Sequence, residues 1–211
     1  MPHRRSLLAA TALAGALALP LMPFKGENPT HSKPDEFRSA MRKLWEDHVT
    51  WTRLYIVSAT ANLPEKQATA ERLLQNQTDL GNAIKPYYGN EAGTKLTGLL
   101  KDHIMIATEL IDAAQKGENA KKDDAAKRWT QNADEIAGFL SGANPKNWPL
   151  AEMKKMMQEH LDLTTTEVVA HLQKDWTGSV AAYDRVHEQI LKMADQLAMG
   201  IRNQFRAKFT D

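Results

Sequence analysis

Hydrophobic residues recur every three to four positions along most of the chain, the spacing typical of amphipathic α-helices. Sustained alternation of apolar and polar residues is missing, and no Asn-Gly or Asp-Gly turn joins two β-branched runs. The breaks in the helical pattern fall at proline and glycine. They divide the chain into six predicted helices, over residues 34–61, 65–84, 91–115, 119–141, 150–173 and 177–207.

Short connections between consecutive helices favour antiparallel neighbours. We therefore predict an all-α fold, an up-and-down antiparallel bundle of four to five long helices plus one short helix. The short helix, 65–84, ends before Pro86 and Gly89 and is predicted to pack across the outside or one end of the bundle. The bundle is predicted to form a single domain over residues 34–211.

The first residues have the composition of an export signal. Arg4 and Arg5 precede an apolar, alanine- and leucine-rich run that is too short to span a membrane comfortably. Residues 1–18 are predicted to be a signal peptide cleaved near Ala18, and residues 19–33 a flexible linker. The arginine pair fits a twin-arginine signal, and an ordinary secretory (Sec) signal or an uncleaved anchor explains it equally well. The protein is therefore predicted to be periplasmic or secreted, with no transmembrane segment in the mature chain.

Composition narrows the candidate chemistry. The 211 residues include no cysteine, which excludes disulfides, thiolate metal ligands, cysteine nucleophiles and iron–sulfur clusters. The 27 Lys and Arg residues balance 26 Asp and Glu residues and are scattered, which argues against nucleic-acid binding. The motifs of di-iron carboxylate bundles, zinc proteases, serine hydrolases and phosphate-binding loops are also missing. Any metal must therefore be bound by His, carboxylate or Met side chains.

Three predicted helices carry the same six-residue pattern, in which an acidic residue and a histidine precede two spaced apolar residues and a small residue. The three copies occupy residues 47–52, 102–107 and 159–164. At 100° per residue each histidine falls on the apolar face of its helix. The pattern therefore predicts that His48, His103 and His160 point into the bundle at comparable heights.

Several other polar residues are predicted to face the same interior. Asn132 and His103 are about equally distant from the glycine turn between their helices, so an antiparallel hairpin brings them side by side. The candidates for a fourth ligand or a supporting residue are Glu167, Asn132, Glu135, His187, Thr52 and Thr164.

A layer of inward polar groups needs partners, since burying one unpaired polar group costs about 1–3 kcal/mol. A metal ion is one solution: three histidines without a thiolate suit Zn, Cu(II), Ni or Fe, and a carboxylate such as Glu167 would neutralise charge. Haem b, bound non-covalently through His or Met, is a second. The third is a hydrogen-bonded polar core with no ion, in an envelope or interaction protein.

The sequence favours an exported metal-binding bundle with His48, His103 and His160 as ligands. Binding or storage is favoured over catalysis, and no catalytic residue is assigned. An enzyme would need an open coordination position and a water-filled pocket with a base, for which Glu135 or Glu167 is the candidate.

Four groups of residues resemble a family of small bacterial proteins. They are Trp45-x-x-His48-Val49-x-Trp51-Thr52-Arg53, Arg72-Leu73-Leu74 with Asn76-x-Thr78-Asp79, Lys85-Pro86-x-Tyr88-Gly89, and Asn132-Ala133-Asp134-Glu135-Ile136-Ala137. The resemblance runs from about Leu44 to the last helix. It implies a bacterial source and an all-helical fold, with no activity assigned to the family. It also implies histidine at the positions of the three motif histidines, but not at that of His187.

Overall fold

Helices make up all the regular secondary structure in the computed structural model, which describes residues 32–210 of the chain. The all-α prediction is confirmed for this part, in which no strand occurs. Its elements are α1 (Lys33–Thr60), α2 (Lys66–Lys116), α3 (Asn119–Ala143), α4 (Leu150–Leu172), α5 (Trp176–Gln204) and a final 3-10 turn (Arg206–Lys208). The predicted signal peptide, 1–18, and nearly all of the linker lie outside the described residues.

The predicted break between the second and third helices is present but shorter than expected. α2 continues through it, yet Gly89 has φ 86° and ψ 170°, which are not helical angles. Glycine adopts a positive φ without the penalty that a Cβ imposes. Pro86 lies inside the helix, so α2 consists of a first arm, 66–88, and a second arm, 90–116.

The two arms of α2 fold back on each other as a tight antiparallel hairpin. Near the turn the backbones approach closely, because a Cβ on Gly81 would stand 2.5 Å from the carbonyl oxygen of Gly93. At the far end Lys66 Nζ donates to Asp112 Oδ1 at 2.6 Å. The arms therefore stay together from Gly89 to the opposite end of the bundle.

The first arm of α2 packs lengthwise along α1. Asn76 Nδ2 donates to the backbone oxygen of Leu44 at 2.9 Å, and the hydroxyls of Ser58 and Thr69 lie 3.1 Å apart. The prediction that residues 65–84 cross the outside or one end of the bundle is therefore wrong. An apolar pattern shows which face of a helix is buried, but not which neighbour covers it.

Each helix packs against its neighbour in the chain, and α5 returns to pack against α1. These are the contacts of the up-and-down bundle that the short connections predict. The main core and a smaller cluster around Tyr55 and Ile111 divide the interior along the bundle. Within residues 32–210 no helix is both long and apolar enough to cross a membrane.

Two turns set the register of the helices that carry the candidate site. Gly117 ends α2 with φ 69°, a left-handed conformation that favours glycine, and its N–H donates to the backbone oxygen of Ala114. At the start of α5, the Asp175 carboxylate accepts a hydrogen bond from the backbone N–H of Gly178 at 2.9 Å. These turns fix α2 against α3, and α4 against α5.

Candidate metal centre

The three motif histidines meet in the interior. His48 on α1, His103 on the second arm of α2 and His160 on α4 are 3%, 3% and 5% exposed. The ring centroids of His48 and His160 lie 5.8 Å apart, and those of His103 and His160 lie 6.4 Å apart. The repeated sequence pattern thus identified three histidine side chains that lie near one another in the interior.

The ring of His103 is held by Asn132 on α3. Asn132 Oδ1 lies 2.8 Å from His103 Nδ1, while Asn132 Nδ2 donates to the backbone oxygen of Leu99 at 3.0 Å. Because the amide group is committed to Leu99, Oδ1 accepts a hydrogen bond from the ring. The proton of neutral His103 therefore sits on Nδ1, and the lone pair sits on Nε2.

The ring of His160 is held in the same way by Gln189 on α5. Gln189 Oε1 lies 3.2 Å from His160 Nδ1, and Gln189 Nε2 donates to the backbone oxygen of Met156 at 3.0 Å. The lone pair of His160 is again placed on Nε2. Sequence reasoning missed Gln189 because it assigned His187, two residues earlier, to the inward face of this helix.

A constant spacing links each histidine to a carboxamide and could have identified these partners. The residue 29 positions after each motif histidine is Gln77, Asn132 or Gln189, in chain order. In the two later pairs the carboxamide also anchors on the carbonyl four residues before its histidine. The bundle therefore repeats one hairpin plan, with histidine on the first helix and a carboxamide on the second.

The first hairpin, formed by α1 and the first arm of α2, has the same residue types, but Gln77 and His48 do not form the corresponding hydrogen bond. Asn76 Nδ2 takes the carbonyl of Leu44, four residues before His48, and Gln77 Nε2 donates to Asn76 Oδ1 at 3.1 Å. His48 Nδ1 and Gln77 Oε1 are both buried and have no hydrogen-bond partner in the described part of the chain. His48 is held by packing, with its ring centroid 5.7 Å from that of Trp45.

Burial keeps the three imidazoles neutral. It lowers the pKa of His103 to about 3 and the pKa of His160 to about 4. Burial, followed by repulsion from the other two rings, holds the pKa of His48 well below its ordinary value. Neutral imidazole is the form that binds metal ions, so no proton has to leave the three rings at neutral pH.

The histidine layer separates two cavities. A cavity of about 30 Å³ lies toward Trp45 and Leu100, and a larger one of about 120 Å³ lies toward Ile104 and Leu110. All three histidines line both cavities. Among the described residues, no Asp or Glu lines either of them.

The structure places Glu167 in an ion pair away from the histidines. Glu167 is 1% exposed, and its Oε1 accepts a hydrogen bond from Arg53 Nη1 at 2.9 Å. Arg53 Nη1 also donates to Ser179 Oγ at 2.6 Å. Burial raises the pKa of Glu167 although Arg53 opposes this shift. Sequence reasoning missed Arg53, because a basic residue on an amphipathic helix is normally solvent-facing.

Two further candidates are not brought to the histidines. Glu135 is exposed on α3. His187 lies on the partly exposed side of α5, where its Nε2 stands 3.0 Å from Glu46 Oε1. Neither residue is in position to act as a fourth ligand or to orient a ligand.

The two threonine candidates do lie beside the site, in the wall of the larger cavity. Thr52 Oγ1 donates to the backbone oxygen of His48 at 2.8 Å. Thr164 Oγ1 is buried and has no hydrogen-bond partner among the described residues. Thr164 is therefore the candidate with a free polar atom.

The three histidine rings stand slightly further apart than the ligands of one bound ion would. Imidazole nitrogens bind zinc at about 2.0–2.1 Å, which places the ring centroids of tetrahedral ligands about 5 Å apart. The observed separations of 5.8 and 6.4 Å are larger. Accordingly, no three His, Asp or Glu side chains within residues 32–210 could hold an ion where they stand. An ion would need the rings of His48 and His103 each to approach the ring of His160 by about 1 Å, and cavities adjoin the histidines on both sides.

The chain shows no significant match to any family model, curated protein or solved structure.

Proposed function

We propose that the protein binds one transition-metal ion through the Nε2 atoms of His48, His103 and His160. The carboxamides that hold His103 and His160 carry the proposal, because they take up Nδ1 and leave Nε2 as a free ligand. Within residues 32–210 none of the three Nε2 atoms makes a hydrogen bond to protein.

The ligand set favours a metal that accepts neutral nitrogen ligands. Three imidazoles with neither thiolate nor carboxylate suit Zn, Cu(II), Ni or Fe and do not suit the oxygen-preferring ions Mg and Ca. A fourth position would open toward a cavity, where water or a small molecule completes the coordination. Glu167 does not neutralise the ion, because it is paired with Arg53.

Cavity size favours an ion over haem. Pockets for drug-sized ligands have volumes of about 300–1,000 Å³, whereas the larger cavity beside the histidines has about 120 Å³. A haem would require the helices to separate along much of the core. An ion requires only a small approach of the three rings.

We propose binding or storage rather than catalysis. Metal-assisted hydrolysis uses a base near the metal-bound water. The two carboxylates considered for this role are directed elsewhere, with Glu167 paired to Arg53 and Glu135 exposed.

We also infer that the protein is exported, by the Sec or the twin-arginine route. The support is the composition of residues 1–18, with Arg4 and Arg5 before an apolar run. N-terminal sequencing of the protein purified from fractionated bacteria tests this. A periplasmic or secreted chain beginning near residue 19 is expected, and a cytoplasmic chain that retains residues 1–18 would contradict it.

Metal titration of the tag-free, metal-stripped protein tests the binding proposal. We expect isothermal titration calorimetry to show one equivalent of Zn²⁺ or Cu²⁺ bound, and the melting temperature to rise when the ion is in excess, because the ion binds only the folded chain. Bound Co²⁺ should give the absorption bands of a tetrahedral or five-coordinate ion.

Single asparagine variants locate the site. His48→Asn, His103→Asn and His160→Asn each keep a polar side chain but remove Nε2, so each should lose the metal-dependent rise in melting temperature. His187→Asn is the matched control, because His187 lies at the surface beside Glu46, and it should bind as the wild type does. Wild-type affinity in the three interior variants would contradict the proposal, and so would the absence of binding for every ion.

A further inference from the structure

The first hairpin contains an incomplete copy of the contact that orients the other two histidines. Gln77 stands 29 positions after His48, the spacing that separates each of the other histidines from its carboxamide. His48 Nδ1 and Gln77 Oε1 are the two atoms that this contact would join. Both are buried and have no hydrogen-bond partner among the described residues. With a proton on Nδ1 they form a matching donor and acceptor.

The carboxamide of Gln77 is already oriented by its other hydrogen bonds. Its Nε2 donates to the backbone oxygen of Leu73 at 2.8 Å and to Asn76 Oδ1 at 3.1 Å. Both protons of the amide group are therefore committed, and Oε1 is left to accept a hydrogen bond. Because Gln77 is 0% exposed, the donor has to come from the interior of the protein.

Gln77 lies close to His48 although the hydrogen bond between them is not formed. Burial lowers the pKa of His48, and the side chain of Gln77 opposes this shift, as a neighbouring hydrogen-bond acceptor does. The ring of His48 is otherwise held by packing against Trp45. Of the three histidines it is the one without a side-chain hydrogen bond to the described residues. Its ring can therefore be adjusted without breaking such a bond.

We propose that Gln77 is the positioning residue for His48, and that the hydrogen bond from His48 Nδ1 to Gln77 Oε1 forms when the ion binds. This inference rests on the proposed metal site. An ion on Nε2 leaves the ring proton on Nδ1 and makes this N–H a stronger donor. The ring has to move to meet an ion in any case, since its centroid lies 5.8 Å from that of His160. One new bond then satisfies two buried atoms, so it adds to metal affinity.

The ring N–H signals of ¹⁵N-labelled protein test this hydrogen bond without any substitution, once each ring is assigned by its through-bond correlations. We expect His103 and His160 to show hydrogen-bonded Nδ1–H signals both with and without zinc. The Nδ1–H signal of His48 should appear or move downfield to join them when one equivalent of zinc is added. A zinc-bound His48 that carries its proton on Nε2, or whose Nδ1–H signal does not change, would overturn the inference.

A methionine variant tests the contribution of Gln77 to affinity. Gln77→Met has a similar size but no acceptor oxygen, and it should weaken zinc binding by about 10–100-fold in a calorimetric titration. The zinc-dependent change of the His48 signal should also be lost, while the Nδ1–H signals of His103 and His160 stay as in the wild type. Gln75→Met is the matched control, because Gln75 is exposed on the same helix, and it should bind with wild-type affinity.

The outcomes separate this inference from the metal proposal. Equal zinc affinity in Gln77→Met and Gln75→Met would overturn the role of Gln77 and leave the three histidine ligands in place. Should Gln77→Met fail to fold, the ring signals of the wild type decide alone. A wild-type protein that binds no zinc and no other ion would overturn the metal proposal, and this inference with it.

Discussion

At the scale of single residues, the ring nitrogen that carries the lone pair of a histidine depends on the hydrogen bonds that the neighbouring carboxamide makes to the backbone. Asn132 gives its N–H to Leu99, and Gln189 gives its N–H to Met156, so both oxygens must accept from a ring. A carboxamide that was free to rotate would not select a tautomer. The backbone carbonyls thus decide, through the carboxamides, that the lone pairs of His103 and His160 sit on Nε2.

Removing Asn132 should therefore weaken metal binding without removing a ligand. Loss of a group that orients a metal-binding histidine typically lowers affinity by about 10–100-fold, and we expect an effect of this size for Asn132→Ala in a calorimetric titration with zinc. Gln131→Ala is the control, because Gln131 is exposed on the same helix. Equal zinc affinity in the two variants would show that His103 needs no orientation by Asn132.

The low pKa values of His103 and His160 should make stability depend on pH. Both values, about 3 and about 4, lie below the unfolded value of about 6.5. The unfolded chain therefore binds protons first, and the stabilising contribution present above pH 6.5 is lost as pH falls toward 4. Each histidine should lower the free energy of unfolding of the metal-free protein by about 1.4 kcal/mol per pH unit in this window.

Urea unfolding of the metal-free protein between pH 7 and pH 4 measures this slope. His103→Asn should have a slope smaller by about 1.4 kcal/mol per pH unit than that of the wild type. His187→Asn, the surface control, should keep the wild-type slope. Parallel curves for the wild type and His103→Asn would contradict the burial of a neutral His103.

At the scale of single elements, the tight hairpin of α2 depends on glycine at the contact between its arms. Gly81→Ala should destabilise the protein by about 1–3 kcal/mol, the usual result of overpacking, because the new Cβ meets the backbone oxygen of Gly93 at 2.5 Å. Gly98→Ala is the matched control: nothing lies within 4 Å of its new Cβ, and it should stabilise the helix by about 0.5–1 kcal/mol. Urea unfolding of both variants measures the difference, and equal stability would show that the arms are not in contact.

The sequence predicted helix type and ends well, because glycine and proline act locally. Gly117, for example, ends α2 by its own backbone conformation. The positions of the helices relative to one another were predicted less well. Pro86, for example, lies inside α2 and does not end a short helix, because the chain turns at Gly89. In the last helix His187 was assigned to the inward face, whereas Gln189, about 200° further round the helix, is the buried residue.

At the scale of the whole molecule, three helical hairpins contribute one histidine each. The first helix of each hairpin, namely α1, the second arm of α2 and α4, carries the histidine, and the second helix carries the residue 29 positions later. The site lies where the three first helices face one another. The sequence predicted that the three histidines face the interior, because helical periodicity alone is enough to place each of them on the apolar face of its helix.

The other features of the site depend on distances between helices, and the spacing of hydrophobic residues along the chain does not give these distances. Arg53 reaches Glu167 only because α1 lies against α4 and α5. The larger cavity beside the histidines likewise has the small side chains of Ala107 and Ala114 on α2 and residues of α1, α3 and α4 in its wall. Both features follow from packing across helices far apart in sequence.

Anomalous diffraction at the zinc edge, from crystals of protein loaded with one equivalent of zinc, locates the bound ion. We expect one dominant peak between the three histidines, about 2.0–2.1 Å from each Nε2, with the rings closer together than the 5.8 and 6.4 Å separations described above. An empty interior, with zinc only at surface positions such as His187 and Glu46, would contradict the claim and identify the histidine layer as a structural polar core.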